Sequence, residues 1–314
     1  MDPIMLQIGP LALRWYGFLI ALGVLIGSNW TLHEAKKRGL DTEKLLDMTL
    51  WLVISGLIGA RLVYVLTSPA AYFGPGGNPL SAFAIWQGGG SIHGGVLGIF
   101  IAVWLYSRIH GLNMWSYLDV LTPVGALGVI GGRIGNFMNG SDTTGRVTGW
   151  PVGFTWPEPG TPTFGALGRF VFGDNLWANA PQVVVNGQPA YGPVHLTQGY
   201  GVLIGVALIF ILLWAFRRSR APGFVWWQFV LWYSILRSVF EETFRDNPLF
   251  WNVYLREGIN APGIGLFTLT QLVSIPLILV SLYFLLTLPP SAERPNRPEA
   301  TRPPAVPRVG EETP

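Results

Sequence analysis

Long apolar stretches separated by short polar ones run along most of the chain. Each stretch holds about 20 mostly apolar residues, the length that an α-helix needs to cross the hydrocarbon core of a bilayer. We interpret seven such stretches as membrane helices, at residues 11–30, 45–66, 91–109, 117–137, 198–216, 224–243 and 264–288. The expected fold is therefore an all-α integral membrane protein with about seven transmembrane helices.

Two segments fall outside this pattern. Residues 138–197 contain no apolar run long enough to span, and "VVVNGQPAY" (183–191) predicts a small hairpin turning at Asn186-Gly187. We expect this segment to form a small extracytoplasmic head between the fourth and fifth helices. From Pro289 onward the chain is rich in Pro, Glu and Arg, so residues 289–314 are predicted to be a disordered cytoplasmic tail. The membrane domain then covers residues 1–288, with the head as an insertion.

Composition supports the membrane interpretation. Half of the 314 residues are hydrophobic and only 12% are charged, and the mean hydropathy is +0.41. Such a balance excludes a soluble domain with a solvated surface. The isoelectric point near 9.3 does not indicate nucleic-acid binding, because the basic residues form short clusters between apolar runs rather than an exposed stripe. The chain has no cysteine, which excludes a disulfide, a thiolate nucleophile of its own and a cysteine-ligated metal.

The basic clusters predict the orientation. They follow the first, third, fifth and seventh helices and contain 12 of the 20 Lys and Arg residues. The members are Lys36, Lys37, Arg38, Lys44, Arg108, Arg217, Arg218, Arg220, Arg294, Arg297, Arg302 and Arg308. Positively charged loops stay in the cytoplasm, so the N-terminus is expected outside and the C-terminus inside.

A second set of basic or titratable side chains is expected in one thin layer near the outer membrane surface. Five helices contribute to it, with Arg14 beside Tyr16, Arg61, His93, Arg133 and Arg237. At 1.5 Å per helical residue, the buried arginines lie about 6–9 Å below the surface. Only Glu241 and Glu242 are nearby, and Glu241 falls one turn after Arg237, the spacing of an intrahelical ion pair. The layer keeps a net positive charge, and an anionic phosphate at headgroup depth is its natural occupant.

Simpler explanations exist for the same residues. A single arginine near a helix end often reaches for the interface, and a lone histidine is often a satisfied structural residue. Gly125, Gly128, Gly132 and Gly135 share one helix face, which suits close packing against another helix and would bury Asn136 at its edge.

The residues resemble the bacterial prolipoprotein diacylglyceryl transferases. The family signature, an Arg-x-Gly-Asn-Phe-x-Asn-Gly run followed by Gly-Arg, is similar to "GGRIGNFMNGSDTTGR" (131–146). Further similar stretches are Trp15-Tyr16-Gly17, "GARLVYVL" (59–66) with Arg61 and Tyr64, His93-Gly94-Gly95, and Tyr233 with Arg237 and Glu241. The resemblance extends in order and spacing from about residue 8 to 288.

The chain departs from the family pattern at acidic positions. "GSDTTGR" is one residue longer than the family's Gly-Glu-Leu-Trp-Gly-Arg, so the acid corresponds to Asp142 or is replaced by Ser141. In "HLTQGYG" (195–201) Gly201 stands where the family pattern ends in a Glu. An extra residue also lies around Glu241-Glu242, which leaves two candidates for one acid.

The resemblance implies an activity, a membrane and a set of partners. The family transfers the diacylglyceryl group of phosphatidylglycerol to the lipobox cysteine thiol of a prolipoprotein and releases glycerol phosphate. A substrate-borne thiol suits an enzyme without cysteine. The expected partners are phosphatidylglycerol, prolipoprotein signal peptides and membrane lipids, with no nucleic acid, metal or cofactor. The expected location is the bacterial inner membrane.

The resemblance also implies roles for single residues. His93, aided by Tyr233, is the preferred base for forming the thiolate. Arg133 and Arg237 would stabilise the leaving phosphate. Asn136 and Asn139 would hydrogen-bond headgroup oxygens, and Gly145 would allow a close backbone approach. The other expected substrate-binding residues are Tyr16, Arg61, Tyr64 and Glu241.

Two rival functions use the same basic layer. A transporter or flippase for an anionic lipid or solute would need a polar pathway that continues into the cytoplasmic half, where the helices hold little beyond Asp47 and Asp119. A phospho-alcohol transferase would need a metal bound by several acids on one helix, and the sequence has no such helix.

Overall fold

The computed structural model describes residues 4–8, 11–84, 90–139, 145–158, 161, 183–185, 188–190, 192–218, 221–255 and 264–289. Helices occupy all seven predicted stretches. They are α1 (Trp15–Lys37), α2 (Thr42–Thr67), α4 (Ile92–Ile109), α5 (Met114–Asn139), α6 (Thr197–Arg218), α7 (Phe224–Leu236) and α8 (Leu269–Thr287), and a short helix α3 (Pro69–Phe73) follows α2. The seven-helix pattern was predictable because each helix is set by one apolar stretch.

The chain is a multi-pass, mainly helical membrane protein. Five helices (α1, α2, α5, α6 and α8) are long and apolar enough to cross a bilayer. The apolar part of α4, Gly94–Ile109, is shorter, and α7 has 13 residues before it continues into a wider turn. These findings confirm the membrane fold class, whereas the exact count of seven spans stays a prediction.

Three small antiparallel hairpins accompany the helices. The first pairs β1 (Ile4–Ile8) with β2 (Leu11–Arg14), the second pairs β3 (Val183–Val185) with β4 (Gln188–Ala190), and the third pairs β5 (Leu249–Leu255) with β6 (Ile264–Thr268). The second confirms the hairpin predicted at 183–191, although its turn lies outside the described residues. The rest of the predicted head is described only in part, and residues 290–314 of the predicted tail are not described.

The first and last helices begin later than predicted. Residues 11–14 and 264–268 belong to β2 and β6, so α1 starts at Trp15 and α8 at Leu269. Apolarity alone does not distinguish a strand from the first turn of a membrane helix. The start of α8 is fixed instead by a capping box, in which Thr268 accepts from the Gln271 backbone and Gln271 accepts in return from Thr268.

Close packing between helices depends on several glycines. Some of them are the glycines predicted from sequence to pack, and others are not. A Cβ at Gly135 would lie 2.8 Å from Cα of Tyr16, and one at Gly23 of α1 would lie 2.8 Å from the Leu127 carbonyl oxygen. These positions let α1 and α5 cross at backbone contact. Gly128 and Gly132 have open space where a Cβ would stand, so packing does not require glycine at these two positions, although the Gly128 backbone N lies 3.6 Å from where a Cβ on Gly23 would stand. Packing follows the partner's position rather than glycine spacing alone.

A buried carboxylate fixes the start of α7. Asp119 is fully buried and accepts hydrogen bonds from the backbone N–H groups of Gly223 at 3.0 Å and Trp226 at 2.8 Å. Arg38 lies 3.7 Å from the same carboxylate. A carboxylate at a helix N-terminus accepts from otherwise unpaired N–H groups, and its negative charge interacts favourably with the helix dipole. This contact joins α1, α5 and α7 at the end of the bundle opposite Arg237.

Candidate active site

Glu241 joins arginines from two helices at the other end of the bundle, which we call the site end. Its carboxylate lies 2.6 Å from the guanidinium of Arg133 on α5 and 2.9 Å from that of Arg237, which follows α7. The Glu241 side chain is 1% exposed, and those of Arg133 and Arg237 are 11% and 14% exposed. The Arg237–Glu241 ion pair expected from sequence is therefore present, and it also binds Arg133 across the helix interface.

A wide helical turn brings a second acid to the same arginine. Residues Arg237–Glu241 form a π-helical turn, and the Glu242 N–H donates to the Arg237 carbonyl at 2.8 Å. An i to i+5 turn accommodates one extra residue in a helix. As a result Glu242, which is fully buried, lies 3.4 Å from Arg237 although it follows Glu241 directly. The extra residue noted in the sequence thus gives Arg237 two carboxylates.

A third arginine, Arg245, completes what we call the arginine cluster: Arg133, Arg237, Arg245, Glu241 and Glu242. Its guanidinium lies 4.0 Å from Glu241. Burial lowers the pKa of Arg245, and repulsion from Arg133 and Arg237 lowers it further. Three formal positive charges face two negative ones, so the cluster keeps one net positive charge.

Arg146 ties the segment after α5 to the chain beyond the cluster. Its backbone N–H donates to the Phe244 carbonyl at 2.8 Å. Its guanidinium donates to the Asn247 carbonyl at 3.0 Å and lies 3.5 Å from Asp246. The ring of Tyr254 lies under the same guanidinium at 5.2 Å. These bonds hold residues 145–146 against residues 244–247.

Two glycines make this assembly possible. Gly145 forms a β-bridge with Arg245, and a Cβ there would overlap the carbonyl group of His195. A Cβ at Gly201 of α6 would lie 2.6 Å from Cγ and Cδ of Arg133 and 2.7 Å from its Nε. Arg133 therefore reaches Glu241 by passing directly over a helix position that has no side chain.

His195 has a structural environment. It is fully buried, its Nδ1 lies 2.9 Å from the Tyr200 hydroxyl, and its ring contacts those of Phe244 at 4.4 Å and Trp150 at 5.4 Å. A histidine enclosed by aromatic rings and hydrogen-bonded in this way is shielded from a bound ligand.

The predicted site residues separate into two groups. Tyr233 precedes Arg237 by one turn and stacks on Phe229, and Tyr16 packs against Gly135 on α5, so both lie at the site end. Arg61, which lies on α2, has a separate set of partners. It donates to the carbonyls of Ser81 at 2.5 Å and Ala82 at 2.8 Å, and it lies over the rings of Tyr64 and Tyr72 at 5.9 and 5.4 Å.

The remaining predictions are placed by backbone alone or lie outside the described residues. His93 is in the first turn of α4, next to α2, because the Ser91 N–H donates to the Ala60 carbonyl at 2.9 Å; its side chain is not among those described. Asn136 and Asn139 are half-buried in the last turns of α5. Ser141 and Asp142 lie in the undescribed stretch 140–144.

Sequence reasoning missed Gly201, Arg245 and Arg146 as parts of the site. Arg245 carried a usable signal, since it follows Glu241 by four residues as Glu241 follows Arg237. Arg146 ends the signature run, but its partners are far away in the sequence. The described residues contain no group of three or more His, Asp or Glu side chains placed to hold a metal ion.

The arrangement is suited to an anion. Each guanidinium presents several N–H donors in a plane, and a shared carboxylate fixes the orientation of two of them. Donors held in place within a poorly hydrated site stabilise a developing negative charge without reorganising.

Comparison with known proteins identifies close relatives. A family model described as prolipoprotein diacylglyceryl transferase matches residues 3–287. A phosphatidylglycerol–prolipoprotein diacylglyceryl transferase of Thermus thermophilus is 47% identical over 281 residues, which cover 90% of this chain and 96% of that protein. The protein of the same name from Deinococcus radiodurans is 45% identical over 288 residues, covering 91% and 85% of the two chains. One from a Thermoanaerobacter species is 33% identical over 285 residues, covering 91% and 93%.

Proposed function

The chain belongs to the prolipoprotein diacylglyceryl transferase family, and from this membership we propose that it transfers the diacylglyceryl group of phosphatidylglycerol to the lipobox cysteine of prolipoproteins. The cysteine sulfur forms a thioether bond to the glyceryl carbon, and the bond from that carbon to the phosphate oxygen breaks. Glycerol phosphate leaves with the electron pair, and the thiol proton passes to a base. This is the first step of lipoprotein maturation.

The arginine cluster is the observation that carries the proposal. The leaving phosphate gains negative charge as the carbon–oxygen bond breaks, and Arg133 and Arg237 would stabilise it. Glu241 contacts both guanidinium groups and holds them in fixed orientations before substrate arrives. The net positive charge of the cluster favours an anion over a neutral headgroup.

The thiol needs a base, because a free cysteine has a pKa of about 8.5. We assign this role to His93, with Tyr233 aiding from its position one turn before Arg237. Tyr16, Asn136, Asn139 and Gly145 would bind the headgroup beside the cluster, and Arg61 with Tyr64 would contact substrate from α2. The signal peptide of the prolipoprotein would approach from the surrounding bilayer.

A transport function finds less support. A pathway would need polar groups available in the half of the bundle opposite the cluster. Asp47 there accepts a hydrogen bond from the Tyr106 hydroxyl at 2.6 Å. Asp119 is fully buried and occupied by the N-terminus of α7. Both acids thus have structural partners that hold helices together.

We propose that the protein lies in the bacterial inner membrane with the site end outward. The basic clusters after α1, α4 and α6 then face the cytoplasm, as the positive-inside rule requires. A reporter enzyme that is active only outside the cytoplasm should work when fused after residue 170 and fail after residue 219 or 300. Activity of the fusion at 219 would contradict this orientation.

The reaction itself is tested by mass spectrometry. Purified protein incubated with phosphatidylglycerol and a lipobox peptide should add the mass of one diacylglyceryl unit to the peptide. Because the sulfur is the nucleophile, a peptide with Cys→Ser should gain nothing, and phosphatidylethanolamine should not replace phosphatidylglycerol. Equal labelling of the serine peptide would remove thiol transfer from the proposal.

A further inference from the structure

An apolar groove lies between α6, α7 and α8 in the half of the bundle opposite the arginine cluster. Its volume is about 570 Å³, within the roughly 300–1,000 Å³ typical of sites for small ligands. The lining comes from all three helices: Phe210, Ile211, Trp214, Gln228, Leu231, Trp232, Leu282, Leu285 and Leu286. No residue of the proposed active site belongs to it.

The groove opens toward the bilayer. Phe210 is 67% exposed, Leu282 40% and Leu286 83%, and α6 and α8 are both long and apolar enough to span. Leu231 is buried and forms part of the floor on α7. Such a surface accepts hydrocarbon chains, but apolarity alone does not select one lipid over another.

Positive charge at the rim provides that selection. Arg217 and Arg218 form the last turn of α6 and are exposed, and the Arg218 guanidinium lies over the ring of Trp214, 5.7 Å from its centroid. Trp214 lines the groove, so this contact joins the charged rim to the apolar surface. Arginine pairs are well suited to phosphate, and tryptophan is common at headgroup level.

Gln228 adds a polar group to the groove at the depth where the ester groups of a lipid lie. Its side-chain oxygen accepts a hydrogen bond from the indole N–H of Trp232 at 3.0 Å, and an amide also has two N–H donors. Gln228 is the fifth residue of α7, so it lies about 6 Å from the helix start at 1.5 Å per residue. This is about the thickness of the interfacial layer on each side of a bilayer, where lipid esters lie.

We propose that this groove is a binding site for an anionic glycerophospholipid of the leaflet opposite the active site. The phosphate contacts Arg217 and Arg218, an ester carbonyl accepts from the Gln228 amide, and the acyl chains fill the groove between α6 and α8. The bound lipid connects these two helices across α7, which carries Arg237 at its other end. Binding should therefore stabilise the frame that holds the arginine cluster.

A second copy of this chain fits the groove less well. A copy in the same orientation would place its own basic clusters at the same membrane face, including Lys36, Lys37 and Arg38. Like charges facing one another across a contact oppose association, whereas an anionic headgroup is attracted by both arginines.

Thermal unfolding of the purified full-length protein in mild detergent tests the proposal. Phosphatidylserine should raise the melting temperature, since a ligand that binds only the folded state stabilises it, and phosphatidylcholine should raise it less. In Arg217→Gln/Arg218→Gln at least half of the phosphatidylserine shift should disappear. Arg133→Ala is the matched control for anionic lipid in the active site and should keep the groove-dependent shift. An unchanged shift in the double variant would overturn the proposal.

Photo-cross-linking decides the occupant even if the double variant fails to fold. With benzoylphenylalanine in place of Leu282, irradiation in native membranes should attach mainly anionic phospholipid, identified by intact mass, and attachment of neutral phospholipid alone would overturn the proposal. A covalent dimer as the only product would overturn the proposal in favour of a second copy. Neither experiment measures transfer, so a failure of the proposed enzymatic function would leave these results unaffected.

Discussion

Arg133→Lys is expected to lower the rate of diacylglyceryl transfer roughly ten- to more than a hundredfold. Lysine keeps the positive charge but lacks the planar fork that contacts Glu241 at 2.6 Å and presents further N–H groups to a phosphate. One charge-assisted hydrogen bond contributes about 1.5–3 kcal/mol, which gives that range if the loss falls on the transition state. The measurement is the initial rate of peptide lipidation at saturating phosphatidylglycerol.

The control must be an arginine without a structural partner in the bundle interior. Arg38 is unsuitable, because it lies 3.7 Å from the buried Asp119 and 4.9 Å from the ring centroid of Phe216. Arg108 is exposed at the end of α4, and Arg108→Lys should change neither the rate nor the melting temperature. If Arg133→Lys folds normally and transfers at a near-normal rate, Arg133 serves helix packing and the assigned phosphate contact is wrong.

Helix positions were predictable because a bilayer imposes a simple rule. Every span must be apolar for about 20 residues, so "LYFLL" within the last stretch and "LIGVALIFILLW" within the fifth identify their helices without further information. The ends were less predictable. Ile264–Thr268 is as apolar as a helix but pairs with Leu249–Leu255, a partner that apolarity does not indicate.

The convergence of Arg133 and Arg237 was predictable in outline. Their similar depth in two helices placed them in one layer, and charges that cannot face lipid must face one another or a ligand. Their shared partner, Glu241, could be identified only from the structure. Sequence spacing indicated that Glu241 contacts Arg237 within one helix, but not that Arg133 would reach the same carboxylate from α5.

Two further features depend on geometry that spacing cannot provide. In a regular helix each residue is rotated by about 100° from its neighbour, so Glu242 would point away from the side that Glu241 shares with Arg237. The π-helical turn at Arg237–Glu241 brings Glu242 back toward Arg237. Gly201, where the resemblance led us to expect an acid, marks the position over which Arg133 passes. Both features concern positions at which the sequence was expected to depart from the family pattern, so the resemblance alone offered no guide to them.

Gly201→Ala is expected to reduce both transfer and stability although it adds a single methyl group. The new Cβ would lie 2.6 Å from Cγ and Cδ of Arg133, closer than carbon atoms approach without repulsion, so Arg133 must leave its position against Glu241. Overpacking of this kind costs about 1–3 kcal/mol. A displaced guanidinium should lower the transfer rate by about tenfold or more. Gly128→Ala is the matched control, since a Cβ there meets nothing within 4 Å.

A double-mutant cycle shows whether Gly201 acts through Arg133. In an Arg133→Ala background the side chain that the Gly201→Ala methyl group would meet is gone, so the second substitution should no longer lower the melting temperature. Interacting neighbours give such non-additive effects, whereas independent sites add within about 0.5 kcal/mol. If Gly201→Ala leaves the melting temperature of Arg133→Ala unchanged, Gly201 is the residue that lets Arg133 reach Glu241. Equal destabilisation in both backgrounds would show that Gly201 is required for helix packing alone, and the positioning role would be withdrawn.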